Sequence, residues 1–191
     1  MNFTFRSDRL ALDFAATLMF RESPGGGLEL LSSPDRLRRW ALASGVTTVV
    51  SEPPADALVN AVAVREAIYR IATAHVAGGR LARSDLAILN EWACRPPVGL
   101  ALAADGRLRR SGTLSQVIAT VARDAVDLVG GPDHGRIRQC RRDGCTRFFL
   151  DRTRGRSRIW CGMRECGNRV NAAAYRRRAA KNVEEAPRPS P

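Results

Sequence analysis

Four cysteines crowded between residues 140 and 166 constrain what this chain can fold into more than any other feature. Cys140 and Cys145 form one C-x4-C pair, and Cys161 and Cys166 form a second such pair, fifteen residues further on. A tetrahedral zinc site is often built from four thiolates, and two short loops can each present two of them. The spacing therefore predicts one structural Zn²⁺ ion held by these four cysteines, with no coordination position left for catalysis.

Two other uses of the same four thiols stay open at this point. They could form two structural disulfides, or they could act as a redox switch in which oxidation releases zinc. The chain has five cysteines in all, and Cys94 stands far from the cluster, unlike the even and dispersed set of a secreted disulfide scaffold. We therefore expect a reducing, cytoplasmic setting, and we expect Cys94 to be a small buried hydrophobic residue.

The residues around the cysteines predict a small zinc finger made of a β-hairpin and a helix. Phe148–Leu150 and Arg158–Trp160 have the composition of two short strands, with residues 151–156 as the turn between them. Gly144 precedes Cys145, where a metal-binding loop often needs an unusual backbone angle. A helix-forming stretch follows Cys166. These elements bury too little area to fold alone, so metal binding is expected to supply much of the stability.

The positive charge of the chain is concentrated in the same segment. Residues 136–181 hold fifteen of the 31 Arg and Lys residues and three of the 19 acidic residues, and the rest of the chain is nearly neutral. That asymmetry is typical of a polyanion-binding module attached to a neutral body. We predict that nucleic acid is bound by arginines of the second strand and of the final helix: Arg156, Arg158, Arg169, Arg176, Arg177 and Arg178. The alternative for the helix is a solvated charged face.

The residues before the finger predict a mainly helical body. Apolar periodicity and capping signals indicate helices near residues 34–44, 55–78, 84–92 and 114–129, and Asp105-Gly106 indicates a β-hairpin between the last two. Gly130-Gly131-Pro132 ends the last of these helices. The predicted fold class is therefore mainly α: a helical domain with a small hairpin at residues 1–132, a treble-clef-like finger at 133–181, and a disordered tail at 182–191. We expect residues 1–132 to fold alone.

Motifs of enzyme chemistry are not found in this sequence. It has no phosphate-binding glycine loop followed by a lysine, no nucleophile elbow and no paired carboxylates arranged for acid–base work. We therefore predict that the protein is not an enzyme and has no catalytic residues. The apolar run at residues 10–20 is too short to span a bilayer and is interrupted by Asp13, so no membrane partner is expected. We expect Asp13 to pair with an arginine of the body.

The finger resembles a known family. The run "CGNR" at Cys166–Arg169, preceded by "RSRIWC" and followed by "YRRR", is similar to the signature of the CGNR zinc-finger proteins, a family of proposed bacterial transcription regulators. Longer members carry an N-terminal helical region called the ABATE domain, described as a stress-induced regulator. That region favours a Leu-Asp-Phe-Val-Asn-Thr motif, which "LDFAAT" at Leu12–Thr17 resembles, with Ala16 in the place of the asparagine.

By this resemblance the protein would be a transcription regulator in the stress response that binds duplex DNA through its zinc finger. The N-terminal domain would then regulate or sense, with a small-molecule effector as its possible partner. Two alternatives stay open: an RNA- or protein-binding module whose body senses a small molecule, and a zinc-thiolate redox stress sensor. The sequence predicts neither a ligand-binding residue nor an oligomeric state.

Overall fold

A computed structural model describes residues 2–51 and 54–184 of the chain, with side chains as far as residue 178. Helices dominate this part of the chain, and they are α1 (Leu10–Ala15), α2 (Pro34–Ala43), α3 (Ala57–Val76), α4 (Arg83–Cys94), α5 (Leu114–Gly130) and α6 (Asn168–Glu184). The mainly helical fold class is thereby confirmed. None of the described helices combines the length and the apolar character needed to cross a membrane.

Three small sheets accompany the helices in the described part of the chain. An antiparallel pair, β1 (Leu18–Met19) and β2 (Leu28–Glu29), follows α1. A three-stranded sheet has the order β3 (Val49–Val50), β5 (Leu108–Gly112), β4 (Gly99–Leu102), in which β3 is parallel to β5 and β4 is antiparallel to it. The third sheet is an antiparallel hairpin in the finger, made by β6 (Ile137–Gln139) and β7 (Phe148–Leu150).

Local signals explain where several of these elements begin and turn. The side chain of Ser33 accepts a hydrogen bond from the Arg36 N–H and so caps α2. Thr113 and Gln116 form a reciprocal capping box at the start of α5. The predicted hairpin at Asp105-Gly106 is confirmed, and Gly106 has a φ of 76°, which a residue without Cβ adopts without strain.

The core of the body lies where α3, α4 and α5 pack together beneath α1 and α2. Trp40 and Phe14 are fully buried there, with ring centroids 4.7 Å apart. From α3 and α5, Ile71, Leu114 and Ile118 are buried in the same cluster, as their three- and four-residue spacing predicts. The body therefore has an apolar core of its own.

The hairpin of β1 and β2 is held on α3 by charged side chains. Arg65 is buried in α3 and donates to Glu29 of β2 at 2.7 Å and to its neighbour Glu66 at 2.8 Å. Arg21 follows β1, donates to Glu66 at 2.6 Å and stacks 3.9 Å from the ring centroid of Tyr69. Because two arginines share one carboxylate, the hairpin and the helix are fixed relative to each other.

The finger packs directly on the body through a shared apolar cluster. Ile137, Phe148 and Leu150 of the hairpin are almost fully buried against residues of α1, α3 and α5, namely Leu12, Ala72 and Leu128. A backbone hydrogen bond of 2.8 Å from the Leu150 N–H to the Ser7 carbonyl also joins the hairpin to the N-terminal segment. The two parts of the chain therefore share a core, and whether residues 1–132 fold alone stays a prediction.

A buried ion pair crosses the same boundary. Arg147, at the base of β7, donates to the Asp13 carboxylate at 3.2 Å, and both side chains are less than a tenth exposed. Asp13 also accepts the backbone N–H groups of Arg6 and Ser7 at 2.9 and 3.0 Å. The expectation of an arginine partner is right, but its source is wrong: the arginine comes from the finger and not from the body, since α1 faces β7.

The strand pairing in the finger differs from the prediction. Phe148–Leu150 does form a strand, but its partner is β6, with Ile137 opposite Leu150 and Gln139 opposite Phe148. Residues 158–160 form no strand, because Asp151 caps a tight turn by accepting the N–H groups of Thr153 at 2.9 Å and Arg158 at 3.1 Å. The predicted tail, residues 182–191, starts inside α6, and residues 185–191 lie outside the described residues.

Candidate metal centre

The first pair of cysteines lies at the tip of the β6–β7 hairpin. Cys140 directly follows β6, and its N–H donates to the Arg147 carbonyl at 3.0 Å, which extends the ladder by one bond. The Cys145 N–H turns back to the Arg142 carbonyl at 2.9 Å. Gly144 has a φ of 72°, as predicted for a loop that must reverse sharply. The hairpin thus presents both sulfurs from one short loop.

The second pair brackets a single turn before α6. The backbone N–H of Cys161 donates to the Cys140 sulfur at 3.4 Å, which links the two pairs. The Cys166 N–H donates to the Gly162 carbonyl at 3.1 Å, at the end of a short helical turn over Met163–Gly167. Since α6 starts at Asn168, the fourth sulfur lies immediately before that helix. A metal held here would fix where α6 begins.

The four sulfur atoms fit a tetrahedral metal site. All four lie within 4.8 Å of one another, with Cys145–Cys161 at 3.9 Å, Cys145–Cys166 at 3.9 Å and Cys161–Cys166 at 3.4 Å. Zinc–sulfur bonds of about 2.3 Å in a tetrahedron place sulfurs about 3.8 Å apart. All of these separations exceed the about 2.05 Å of a disulfide bond. The four predicted ligands are therefore brought together as a structural zinc site with four thiolate ligands.

Because the thiols are crowded together, the pKa values of three of them are shifted far from that of a free cysteine. The pKa of Cys140 lies far below its usual range because the thiols of Cys145 and Cys161 donate to its sulfur. The pKa of Cys161 is raised by the same contacts, and that of Cys166 is raised to about 11, mainly by burial. Several thiolates cannot share this space without a cation, and Zn²⁺ supplies the compensating charge. The donor set thus suits a divalent metal.

Burial and packing separate the cluster from the rest of the chain. Cys140, Cys161 and Cys166 are buried against Phe149, whereas Cys145 is half-exposed. Phe149 points away from Phe148, which faces the body, as alternation along a strand requires. Cys94 is exposed on α4, so the expectation of a buried hydrophobic residue is wrong there. It does not belong to the cluster.

Arg158 is one of the predicted nucleic-acid contacts, yet its guanidinium is engaged within the protein. It forms an ion pair with Asp8 and donates to the carbonyl groups of Arg6 at 2.8 Å and Cys161 at 2.7 Å. It also stacks 4.4 Å from the ring centroid of Phe149. These contacts brace the loop before Cys161 against the N-terminal segment. Arg158 lies at the end of the tight turn that Asp151 caps, and not on the edge of a strand.

The other predicted arginines are exposed and lie in two places. Arg156 lies in the turn that follows β7, with a φ of 50°. Four lie on α6, where none has a hydrogen bond or ion pair among the described residues: Arg169, Arg176, Arg177 and Arg178. Arg164, in the turn between the last two cysteines, is equally exposed and was not predicted. Its position between Cys161 and Cys166 is the sequence signal by which it could have been found.

Two known family models match different parts of the chain. Residues 8–132 match the ABATE family model, which is described as "Putative stress-induced transcription regulator". Residues 136–179 match the CGNR zinc-finger model. A search of curated proteins finds no significant match. The two family matches meet beside the short linker that precedes β6.

Proposed function

Since this chain belongs to the ABATE family and carries a CGNR zinc finger, we propose that it is a transcription regulator that binds duplex DNA through α6 and the finger around it. The helical body regulates that binding in response to a stress signal. Zinc has a structural part in this scheme: it fixes the finger, and the arginines mounted on the finger bind phosphate.

The observation that carries the proposal is the exposure of α6 over most of its described surface. Asn171, Ala172 and Tyr175 are exposed along with the arginines, and the helix has little apolar surface to bury. Residues 168–184 hold five basic residues and one acidic residue. A soluble helix with so little apolar surface gains little from packing, whereas the major groove of DNA surrounds an inserted helix with phosphates on two sides. Its composition suits that environment.

The metal site gives this helix a fixed direction. Cys166 lies two residues before Asn168, so the zinc, the preceding turn and the first turn of α6 form one unit. A helix fixed at one end loses less conformational entropy on binding than a free basic tail does. The coincidence of thiols and arginines in one segment then has a common purpose.

A catalytic role is not part of the proposal. Four cysteine ligands fill the tetrahedral positions of zinc and leave none for a water molecule or a substrate. We therefore propose a binding protein that is not an enzyme.

Fluorescence anisotropy with a labelled DNA duplex of mixed sequence tests the proposal. Arg176, Arg177 and Arg178 are changed together to Gln in one variant, and the matched control carries the same change at three exposed arginines of the body: Arg80, Arg83 and Arg109. We expect the first variant to bind more weakly and its salt dependence to flatten by about 0.9 for each phosphate that is no longer bound. Equal behaviour of the two variants, or equal binding of single-stranded RNA, would contradict the proposal.

The half-exposed Cys145 supports a second candidate function, a zinc-thiolate redox sensor. Its sulfur lies 3.9 Å from those of Cys161 and Cys166, so peroxide that reaches it finds a second thiolate nearby. Two thiolates, one hydrogen peroxide and two protons would give one disulfide and two waters, with release of zinc. Zinc release by peroxide from the folded protein, measured with a chromogenic chelator and reversed by a thiol reductant, distinguishes this function from a purely structural site.

A further inference from the structure

A cavity of about 390 Å³ lies between the body and the finger, beside the metal centre. One wall comes from the N-terminal segment and the β1–β2 hairpin, and the opposite wall comes from the cysteine loops and the first turn of α6. Ligand pockets of proteins commonly have volumes of about 300–1,000 Å³ and often lie between domains. The position and size of this cavity therefore fit a small-molecule site.

The N-terminal segment contributes Asn2, Thr4 and Arg6 to the cavity, and the rest of the wall contributed by the body is apolar. It is lined by half-buried or buried side chains of residues 16–30: Ala16, Leu18, Met19, Phe20, Leu28 and Leu30. The hairpin behind it is anchored to α3 by the ion pairs of Arg21 and Arg65. This part of the wall is thus both apolar and fixed.

The wall contributed by the finger holds Arg142, Arg147 and Arg169 beside three of the cysteines and Glu165. Of the four arginines that line the cavity, Arg6 pairs with Glu165 and Arg147 pairs with Asp13, so their charges are compensated. Among the described residues, the Arg142 guanidinium donates to one acceptor, the Glu165 carbonyl, at 3.4 Å, and it lies 5.2 Å from the Phe20 ring. Arg169 has no hydrogen bond or ion pair among the described residues. Two guanidinium groups with no carboxylate partner among the described residues therefore border a largely apolar cavity.

We propose that this cavity binds a small organic carboxylate with an apolar body of several carbons. The carboxylate lies against Arg142 and Arg169, and the carbon chain lies against the β1–β2 hairpin. Guanidinium and carboxylate match in geometry and charge, and an apolar ligand atom displaces poorly held water from the hairpin wall. Because Arg169 is in the first turn of α6, the ligand contacts the body and the DNA-binding helix at once. The effector role rests on the proposed function, whereas the binding itself does not.

Ligand-observed NMR on the zinc-loaded full chain, without DNA, tests the binding. The probes are acetate, butanoate, hexanoate and the uncharged hexanamide. We expect hexanoate to bind saturably, with affinity rising roughly fourfold for each CH2 group buried. Hexanamide should bind about tenfold more weakly or worse, because it lacks the charge-assisted hydrogen bonds. Failure of hexanoate to bind saturably, or equal binding of hexanamide, overturns the proposal.

Neighbouring arginines provide a matched pair of variants. Arg142→Gln should weaken hexanoate binding about tenfold, and Arg141→Gln, at an exposed side chain that does not line the cavity, should leave it unchanged. Zinc content and thermal melting of both variants confirm that the finger is intact. Equal weakening by the two substitutions would show that general positive charge, and not this cavity, attracts the probe.

The effector role is tested separately from the binding. We expect hexanoate at saturation to change the affinity of the wild-type chain for duplex DNA, and to leave it unchanged in the Arg142→Gln variant. Saturable hexanoate binding with unaltered DNA affinity overturns the effector role. Hexanoate binding by a chain that binds no DNA overturns the proposed DNA-binding function and leaves the carboxylate site standing.

Discussion

Phe148 and Phe149 are neighbours on β7, but Phe148 faces the cluster shared with the body and Phe149 faces the cysteines. Replacing each by Ala therefore tests separately how β7 joins the finger to the body and how it supports the metal centre. Phe148 is 1 % exposed, lies in the cluster shared with α1, α3 and α5, and meets the Tyr69 ring edge-on at 5.5 Å. A buried phenylalanine removes about 150–250 Å² from water, which at about 25 cal/mol per Å² gives roughly 4–6 kcal/mol. Since alanine keeps part of that area, Phe148→Ala should cost about 3–5 kcal/mol.

The assay is urea unfolding of the zinc-loaded chain, followed by far-UV circular dichroism for the body and by zinc release to a chromogenic chelator for the finger. If the shared cluster joins the two parts, Phe148→Ala lowers both transitions together. Phe149→Ala, which faces the cysteines, should mainly speed zinc transfer to a chelator. The exposed Leu102→Ala is the control. An unchanged helix transition in Phe148→Ala would refute the shared core and support independent domains.

Three further predictions concern single residues. Cys161→Ser should abolish the binding of about one zinc per chain, whereas Cys94→Ser should retain it, and a metal-free wild type would contradict this. Burial raises the pKa of Glu66, but hydrogen bonds from Arg21 and Arg65 outweigh it and hold that pKa below its usual value. The contribution of Glu66 to stability is therefore present above pH about 4.5 and is lost as the pH falls through the lowered pKa. The stability gap between wild type and Glu66→Gln should therefore close in acid, and a gap constant from neutral pH to pH about 3 would refute it. Arg158→Gln should lower the melting temperature clearly and the affinity for duplex DNA only slightly. A large loss of DNA affinity with a nearly unchanged melting temperature would return the residue to the DNA interface.

The ligand set of the metal centre could be predicted from the sequence because each pair of cysteines is local. Cys140 and Cys145 lie in one loop, and Cys161 and Cys166 lie in one turn, so the spacing alone limits where their sulfurs can be. The positive φ of Gly144 follows from the same local geometry. Helix capping by Ser33 and the hairpin at Asp105-Gly106 are equally local, and both are confirmed.

The partner of β7 could not be predicted in the same way. Residues 158–160 and 137–139 are both short, mixed segments, and only the burial of Ile137 against the body distinguishes them. Arg158 illustrates the same limit for charged side chains. Its partners, Asp8 and the Arg6 carbonyl, lie 150 and 152 positions earlier in the chain. An arginine bound by distant residues has the same appearance in the sequence as one that binds phosphate.

The cavity was likewise beyond the reach of sequence patterns. Its walls come from residues 2–30 and 142–169, which are distant in the sequence and meet where β7 packs on α1. Asp13 was found as a buried carboxylate, and its partner Arg147 required the same long-range contact.

The central claim is that zinc holds the shape that the arginines use, and the salt dependence of duplex-DNA binding before and after chelation tests it most directly. The zinc-loaded chain should bind the duplex with a steep decrease in affinity as salt rises, at about 0.9 in slope for each phosphate bound. After zinc removal in the presence of a thiol reductant, affinity and slope should both fall, and added zinc should restore both. Full, steeply salt-dependent binding by the metal-free chain would contradict the account, because the arginines would then act without the scaffold.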